Sequence, residues 1–198
     1  MKVIKIVKLL PTLKTPYQNE AETMLYLTAL KTQSTKTLIK LSKINLYAIR
    51  LGLTLNPKTP TNLLREIFKQ YKNEKLSLFI ALHPNVDRNL LLDIYNFSQT
   101  LPKTNDYYCI LKANVFKNHQ CPTMLFNDIL NISLVELFDE DLNSPNWYFV
   151  ARAISNPNCP EKVLRFIFNN DIFKIYSKAF LLNEKCPQDI ISDIMKTD

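Results

Sequence analysis

The segment Asn156-Pro157-Asn158-Cys159-Pro160-Glu161-Lys162-Val163-Leu164-Arg165-Phe166-Ile167-Phe168 decides the fold. Its first five residues carry two prolines, which remove two backbone donors and break any regular ladder. After them Val163, Leu164, Ile167 and Phe168 fall at the spacing of one helical face, with Glu161, Lys162 and Arg165 between. The pattern predicts a turn leading into an amphipathic helix. Pro160 takes the first helical position, where a missing N–H costs nothing, and Cys159 takes the N-cap slot before it.

The same pattern recurs without gaps at Asn56-Pro57-Lys58-Thr59-Pro60, His83-Pro84-Asn85-Val86-Asp87, Asn118-His119-Gln120-Cys121-Pro122 and Asn183-Glu184-Lys185-Cys186-Pro187. Counted from the leading Asn or His, offsets seven, eight, eleven and twelve are apolar in every unit. They are Leu63, Leu64, Ile67, Phe68; Leu90, Leu91, Ile94, Tyr95; Leu125, Phe126, Ile129, Leu130; Val163, Leu164, Ile167, Phe168; and Ile190, Ile191, Ile194, Met195. Upstream, offsets minus seven and minus three are also apolar: Ile49 and Leu53, Leu76 and Ile80, Leu111 and Val115, Phe149 and Ala153, Tyr176 and Phe180. Four-residue spacing predicts a second, shorter helix ahead of each turn. Thr59, Cys121 and Cys186 share the cap slot with Cys159, and Asp87 stands where the other units have proline, its charge suited to a helix N-terminus.

The expected fold is all-α, an α-solenoid of about five helix-turn-helix repeats near residues 48–75, 76–106, 107–145, 146–174 and 175–198. Longer linkers fall near 96–106 and 131–145. Residues 1–47 hold a degenerate unit around Met24-Leu25-Tyr26-Leu27 and Leu38-Ile39-Lys40-Leu41 without the Asn-Pro anchor, and read as a basic N-terminal cap.

The recurring short helix, His/Asn-Pro turn, Cys/Thr-Pro step and leucine-rich helix resemble the variant leucine-rich repeat. The best matches are Ala81-Leu82-His83-Pro84-Asn85 and Ala153-Ile154-Ser155-Asn156-Pro157-Asn158-Cys159-Pro160. The resemblance covers roughly residues 48–198. It implies a right-handed superhelix of alternating 3-10 and α-helices, in outline like HEAT arrays. The chain departs from the family in its longer linkers. It also lacks the cysteine-rich iron–sulfur module of one form of the family, so no cluster is implied.

Composition narrows the function. Gly52 is the one glycine among 198 residues, which excludes Walker loops and dinucleotide fingerprints. The four cysteines, Cys109, Cys121, Cys159 and Cys186, have no CxxC spacing, so reduced thiols with no metal and no cofactor are expected. Lysines interrupt the apolar opening Met1 to Leu10, which leaves no signal core or membrane span; a cytoplasmic protein without membrane contact is expected. His83 and His119 lie in or beside the turn column and read as turn residues.

Charge is unevenly placed. Lys2, Lys5, Lys8, Lys14, Lys31, Lys36, Lys40, Lys43 and Arg50 face only Glu20 and Glu22 in residues 1–50, whereas the remainder is balanced. These nine are candidate contacts for nucleic acid or another anionic partner. Glu136, Asp139, Glu140 and Asp141 form a candidate docking cluster for a basic partner. Trp147, Tyr148 and Phe149 with Arg152 suggest base stacking in outline, but Phe149 sits on a core column and the set reads as packing.

No residue set is left over for catalysis, so the expected role is a non-enzymatic interaction module that binds a protein partner through its concave face and linkers. The alternatives are a nucleic-acid-binding protein that uses the basic first quarter and, more remotely, a HEAT-like DNA glycosylase, which rests on analogy of fold alone.

Overall fold

In the computed structural model the described residues are 20–103, 105–133, 145–170 and 173–197. Among them the secondary structure is helical, with no strand. The helices come in pairs around the predicted turns: α1 (Glu20–Lys31) and α2 (Thr35–Ser42), α3 (Tyr47–Leu55) and α4 (Thr61–Tyr71), α5 (Glu74–Ala81) and α6 (Arg88–Gln99). Next come α7 (Asp106–Lys117), followed by a 3-10 segment (Thr123–Phe126) and α8 (Asn127–Leu130), then α9 (Pro145–Ile154) with α10 (Glu161–Asn169), and α11 (Phe173–Leu181) with α12 (Gln188–Thr197). The first helices pack in chain order, α1 on α3, α3 on α5, α5 on α7, α7 on α9 and α9 on α11, while the second helices approach one another less closely.

The two apolar faces are the core. All ten residues at offsets minus seven and minus three are buried, as are offsets seven and eleven in every unit. Offset twelve grades from buried at Phe68 and Tyr95 to exposed at Met195. Aromatic rings at that offset reach into the following pair: Tyr95 meets Phe116 at 5.8 Å and Phe168 meets Phe180 at 6.5 Å, both edge to face.

The turns interlock. Asn56 donates through Nδ2 to the carbonyls of Ala29 and Thr32, both at 2.8 Å, and Asn118 donates to Ala81 at 2.9 Å. Asn156 donates to Phe116 at 2.6 Å and Asn118 at 3.0 Å, and Asn183 repeats this on Ile154 and Asn156 at 2.6 and 3.0 Å. Each Oδ1 meanwhile accepts from the backbone N–H two residues on, in Lys58, Gln120, Asn158 and Lys185. The anchor carbonyl accepts from the N–H three residues on, so Asn118 and Asn156 each serve their own turn and the next unit's amide. Buried amides are thereby satisfied, which is the condition for keeping polar groups in a core.

This ladder starts earlier than the sequence pattern. Asn56 treats the α1–α2 pair as a preceding unit, although that pair carries no Asn-Pro anchor. Gly52 explains how closely α1 sits on α3: a Cβ there would meet the Tyr26 carbonyl oxygen at 2.7 Å and the Ala29 Cβ at 2.8 Å.

Several expectations are corrected. Helices α4 and α10 begin one residue after the proline, so Pro60 and Pro160 are themselves the N-caps, without a side-chain bond. Thr59 does not cap; its hydroxyl donates to the Leu53 carbonyl at 2.6 Å and ties the turn to the helix before it. Asp87 does cap, accepting from the Leu90 N–H at 2.8 Å. The alternation of 3-10 and α-helices is not observed, since the first helices of the pairs are α. The 3-10 turn that does occur replaces the start of a long helix at Thr123–Phe126, ahead of Asn127, Asp128 and Asn131, whose short polar side chains compete with the helical backbone.

Candidate binding site

Helix α7 buries a lysine. Lys112 lies between Leu111 and Ala113 on the most enclosed of the first helices, and its Nζ donates to the Tyr108 hydroxyl at 2.6 Å. Three rings surround the ammonium, with centroids at 4.3 Å for Tyr108, 5.0 Å for Phe149 and 5.4 Å for Tyr95. Ring faces are negative, so such a cage holds a cation where hydration is lost. Phe149 is in turn stacked on Phe116 at 5.9 Å, which fixes one wall.

The cage is the floor of a cleft of about 350 Å³ lined by Tyr95, Gln99, Lys103, Tyr108, Asp128 and Ile132 among others. Helix α6 supplies Tyr95 and Gln99, and α8 supplies Asp128, whose carboxylate accepts from the Tyr95 hydroxyl at 2.7 Å. Burial, then the Asp128 carboxylate, pushes the Tyr95 pKa far up, so the phenol stays protonated and donates. The cleft therefore offers both signs of charge, amide groups and aromatic faces within a few ångströms.

The sequence-predicted contacts divide. Lys31, Lys36, Lys40 and Lys43 are exposed, and the last three share one face of α2 and its C-cap. Among the described residues none of these four lies within ion-pair distance of a carboxylate. Arg50 is not part of that stripe. Its guanidinium lies over Tyr71, 3.3 Å from the ring centroid, with Nη2 buried and without a hydrogen-bond partner among the described residues. Lys2, Lys5, Lys8 and Lys14, and all of Glu136, Asp139, Glu140 and Asp141, lie outside the described residues.

The turn residues are occupied structurally. His83 is buried and stands in the ladder, with Nε2 2.8 Å from the Asn56 carbonyl and Nδ1 accepting from the Asn85 N–H at 3.1 Å. His119 is exposed, and its backbone carbonyl accepts from Asn158 at 2.6 Å. All four thiols are buried and free; burial pushes Cys121 up to about 12 and Cys109 up to about 11, and raises Cys159 and Cys186 as well. Among the described residues no group of three or more His, Cys, Asp or Glu is placed to hold a metal ion. Nor is any helix there long and apolar enough to cross a membrane.

Sequence reasoning missed the cleft. The available signal was Lys112 inside the otherwise apolar run Cys109-Ile110-Leu111-Lys112-Ala113, four residues after Tyr108. Arg65, at a polar position between the apolar ones of α4, pairs with Asp87 of the next unit at 2.7 Å and with Asp93 at 3.5 Å. Arg165, in the same slot of the fourth unit, pairs with Asp189 at 2.8 Å. Burial works to raise the Asp87 pKa, but the Leu90 N–H and Arg65 outweigh it and hold the carboxyl below its ordinary value. Comparison with protein-family models, curated proteins and solved structures gives no match to this chain.

Proposed function

We propose that the chain is a right-handed α-solenoid that acts as an interaction module, holding a protein partner at the Lys112 cleft. The observation that carries this reading is the cleft itself, where Lys103, Lys112, Asp128, Gln99 and two tyrosines converge on a recess of about 350 Å³. Tyr is enriched in protein hot spots, which sit in desolvated pockets within a polar rim. The close packing of the first helices, with the second helices farther apart, supports a curved stack whose inner layer is α1, α3, α5, α7, α9 and α11. A carboxylate and aromatic rings do meet at Asp128, but the exposed lysine stripe is on α2, with two helix pairs between them in the chain, so a glycosylase groove is not favoured.

Capture from nuclease-treated extract by the wild type and by Lys103→Glu and Gln99→Ala variants tests the proposal. A partner retained by the wild type and lost by both variants at unchanged helical content supports it. Equal retention by all three sinks the cleft as the binding site.

A second reading has one specific observation behind it, the stripe of Lys36, Lys40 and Lys43, which has no ion-pair partner among the described residues. If it contacts phosphates, retention on nucleic acid falls with salt by about 0.9 log units per contact per log unit of salt. Changing the three lysines to glutamate then abolishes retention. No retention of the wild type at about 50 mM salt, where such contacts are strong, removes this reading.

A further inference from the structure

We infer that the Lys112 cleft recognises a carboxylate, an acidic side chain that the protein partner inserts against the Lys112 ammonium. The inference rests on the partner-binding reading above and names the chemistry of the group that enters.

The cleft has a buried floor and an exposed rim. Lys112 is 5% exposed and Tyr95, Tyr108 and Phe149 are buried with it, whereas Gln99, Lys103 and Asp128 are exposed. An aromatic cage of this kind ordinarily takes a cation from outside. Here the chain fills it with its own ammonium, 4.3 to 5.4 Å from the three ring centroids. The rings carry a quadrupole but no net charge, so they stand in for lost hydration and leave the positive field of Lys112 in place. The cage is thereby turned from a receptor for cations into one for anions.

The directions of the hydrogen bonds agree with this. An ammonium only donates, so the Tyr108 oxygen accepts from Lys112 at 2.6 Å and the Tyr108 hydroxyl keeps its own proton as a donor. The carboxylate of the cleft is committed within the protein: Asp128 accepts from the Tyr95 hydroxyl at 2.7 Å, and the Tyr95 oxygen accepts in turn from Gln99. Two ammonium groups, Lys103 and Lys112, against the one carboxylate of Asp128 leave the lining with an excess positive charge.

Size and rim chemistry fit a protein ligand. A recess of about 350 Å³ is at the small end of ligand pockets, enough for one side chain and the peptide groups beside it. The amide side chains of Gln99 and Asn131 line the same recess and suit peptide N–H and C=O groups.

Titration of the full chain with acetyl-glutamyl-amide, followed through the aromatic ring signals by NMR, tests the inference. Acetyl-glutaminyl-amide, of nearly the same shape without the charge, is the control. The Tyr108 and Phe149 signals shift saturably with the glutamyl probe at millimolar concentration, and the glutaminyl probe binds at least about tenfold more weakly. Lys112→Met, which removes the ammonium at similar length, weakens glutamyl binding by at least about tenfold. Lys103→Gln at the exposed rim leaves the core untouched and weakens it by a smaller factor, while Lys69→Gln on α4 changes nothing. Circular dichroism and melts establish that the variants keep the fold. The inference is overturned by an absent response to the glutamyl probe, by equal responses to the two probes, or by binding indifferent to both cleft variants. Inorganic phosphate binding more tightly than the glutamyl probe overturns it too, since the site would then take phosphoryl groups. Saturable glutamyl binding without any partner captured from extract leaves the carboxylate site standing and removes the protein-module reading. A partner held through the cleft without a glutamyl response does the reverse, so the two fail separately.

Discussion

The imidazole of His83 bonds to the carbonyl of Asn56 across 27 residues of sequence, Nε2 donating at 2.8 Å while Nδ1 accepts from the Asn85 N–H. Both ring nitrogens are therefore committed with the ring neutral. A second proton would land on Nδ1 and set two donors against each other.

This gives a pH dependence of defined sign. Burial lowers the His83 pKa from 6.5, a trend only partly opposed by the Asn56 bond. As pH falls through about 6.5 the unfolded chain takes up a proton that the folded chain refuses, so stability present above that pH is progressively lost. His83→Asn removes this loss, because asparagine fills the slot in the other units. Thermal melts at several pH values decide it, and an identical decline in His83→Asn sinks the assignment. Asp87 acts in a separate window: its depressed pKa adds stability above 3.8 that disappears only as pH falls through its lower folded value.

Asn156→Ala removes two donors to the preceding unit and is expected to cost about 1 to 3 kcal/mol, the range for buried groups left unpaired. Asn156→Asp has nearly the same shape but cannot donate, and sets a carboxylate against the Phe116 and Asn118 carbonyls. It is expected to be worse than alanine. Denaturant titration separates the two, and a harmless Asp variant would show that packing, not hydrogen bonding, makes the joint.

Gly52→Ala reverses the usual helix scale. Alanine in a helix interior gains about 1 kcal/mol over glycine, but the new Cβ would meet the Tyr26 backbone at 2.7 Å. Overpacking of that kind costs about 1 to 3 kcal/mol, so the variant melts lower than wild type. A higher melting temperature would mean that α1 does not rest on α3.

Leu91→Ala and Leu164→Ala remove fully buried side chains and are expected to cost about 2 to 5 kcal/mol, against about half a kcal/mol for exposed Lys162→Ala. Arg65→Ala falls between them, because it frees the Asp87 cap from its partner. Equal effects at all four sites would contradict the helical faces.

Thiol chemistry offers an independent check on burial. With Cys121 raised to about 12 and all four cysteines buried, alkylation of the native chain at pH 8 is slow and becomes fast in denaturant. Fast labelling of the native protein would place these residues at the surface.

The columns were readable from the sequence because helical burial repeats with the chain: Leu63 and Ile190 announce themselves by spacing. The ladder was half readable. Asn56, Asn118, Asn156 and Asn183 stood out by position, but their acceptors are backbone carbonyls, which no side-chain pattern marks. For the same reason α1–α2 was not recognisable as a full partner of α3, since Ala29 and Thr32 contribute only their carbonyls. The cleft was hidden because Tyr95, Lys112, Asp128 and Phe149 come from four helices and only packing brings them together.

The direction of the ladder bears on how the chain is made. Every anchor side chain donates backward along the sequence: Asn56 to Ala29, His83 to Asn56, Asn118 to Ala81, Asn156 to Phe116, Asn183 to Ile154. At the ribosome each new anchor thus emerges after its acceptors exist, and no turn waits for residues still to be translated. A chain grows at about 5 to 20 residues per second, whereas a helix forms in about a microsecond, so each pair has seconds to seat on the one before. The array can be laid down course by course, as synthesis proceeds, with its hydrophobic face covered from the N-terminal side throughout.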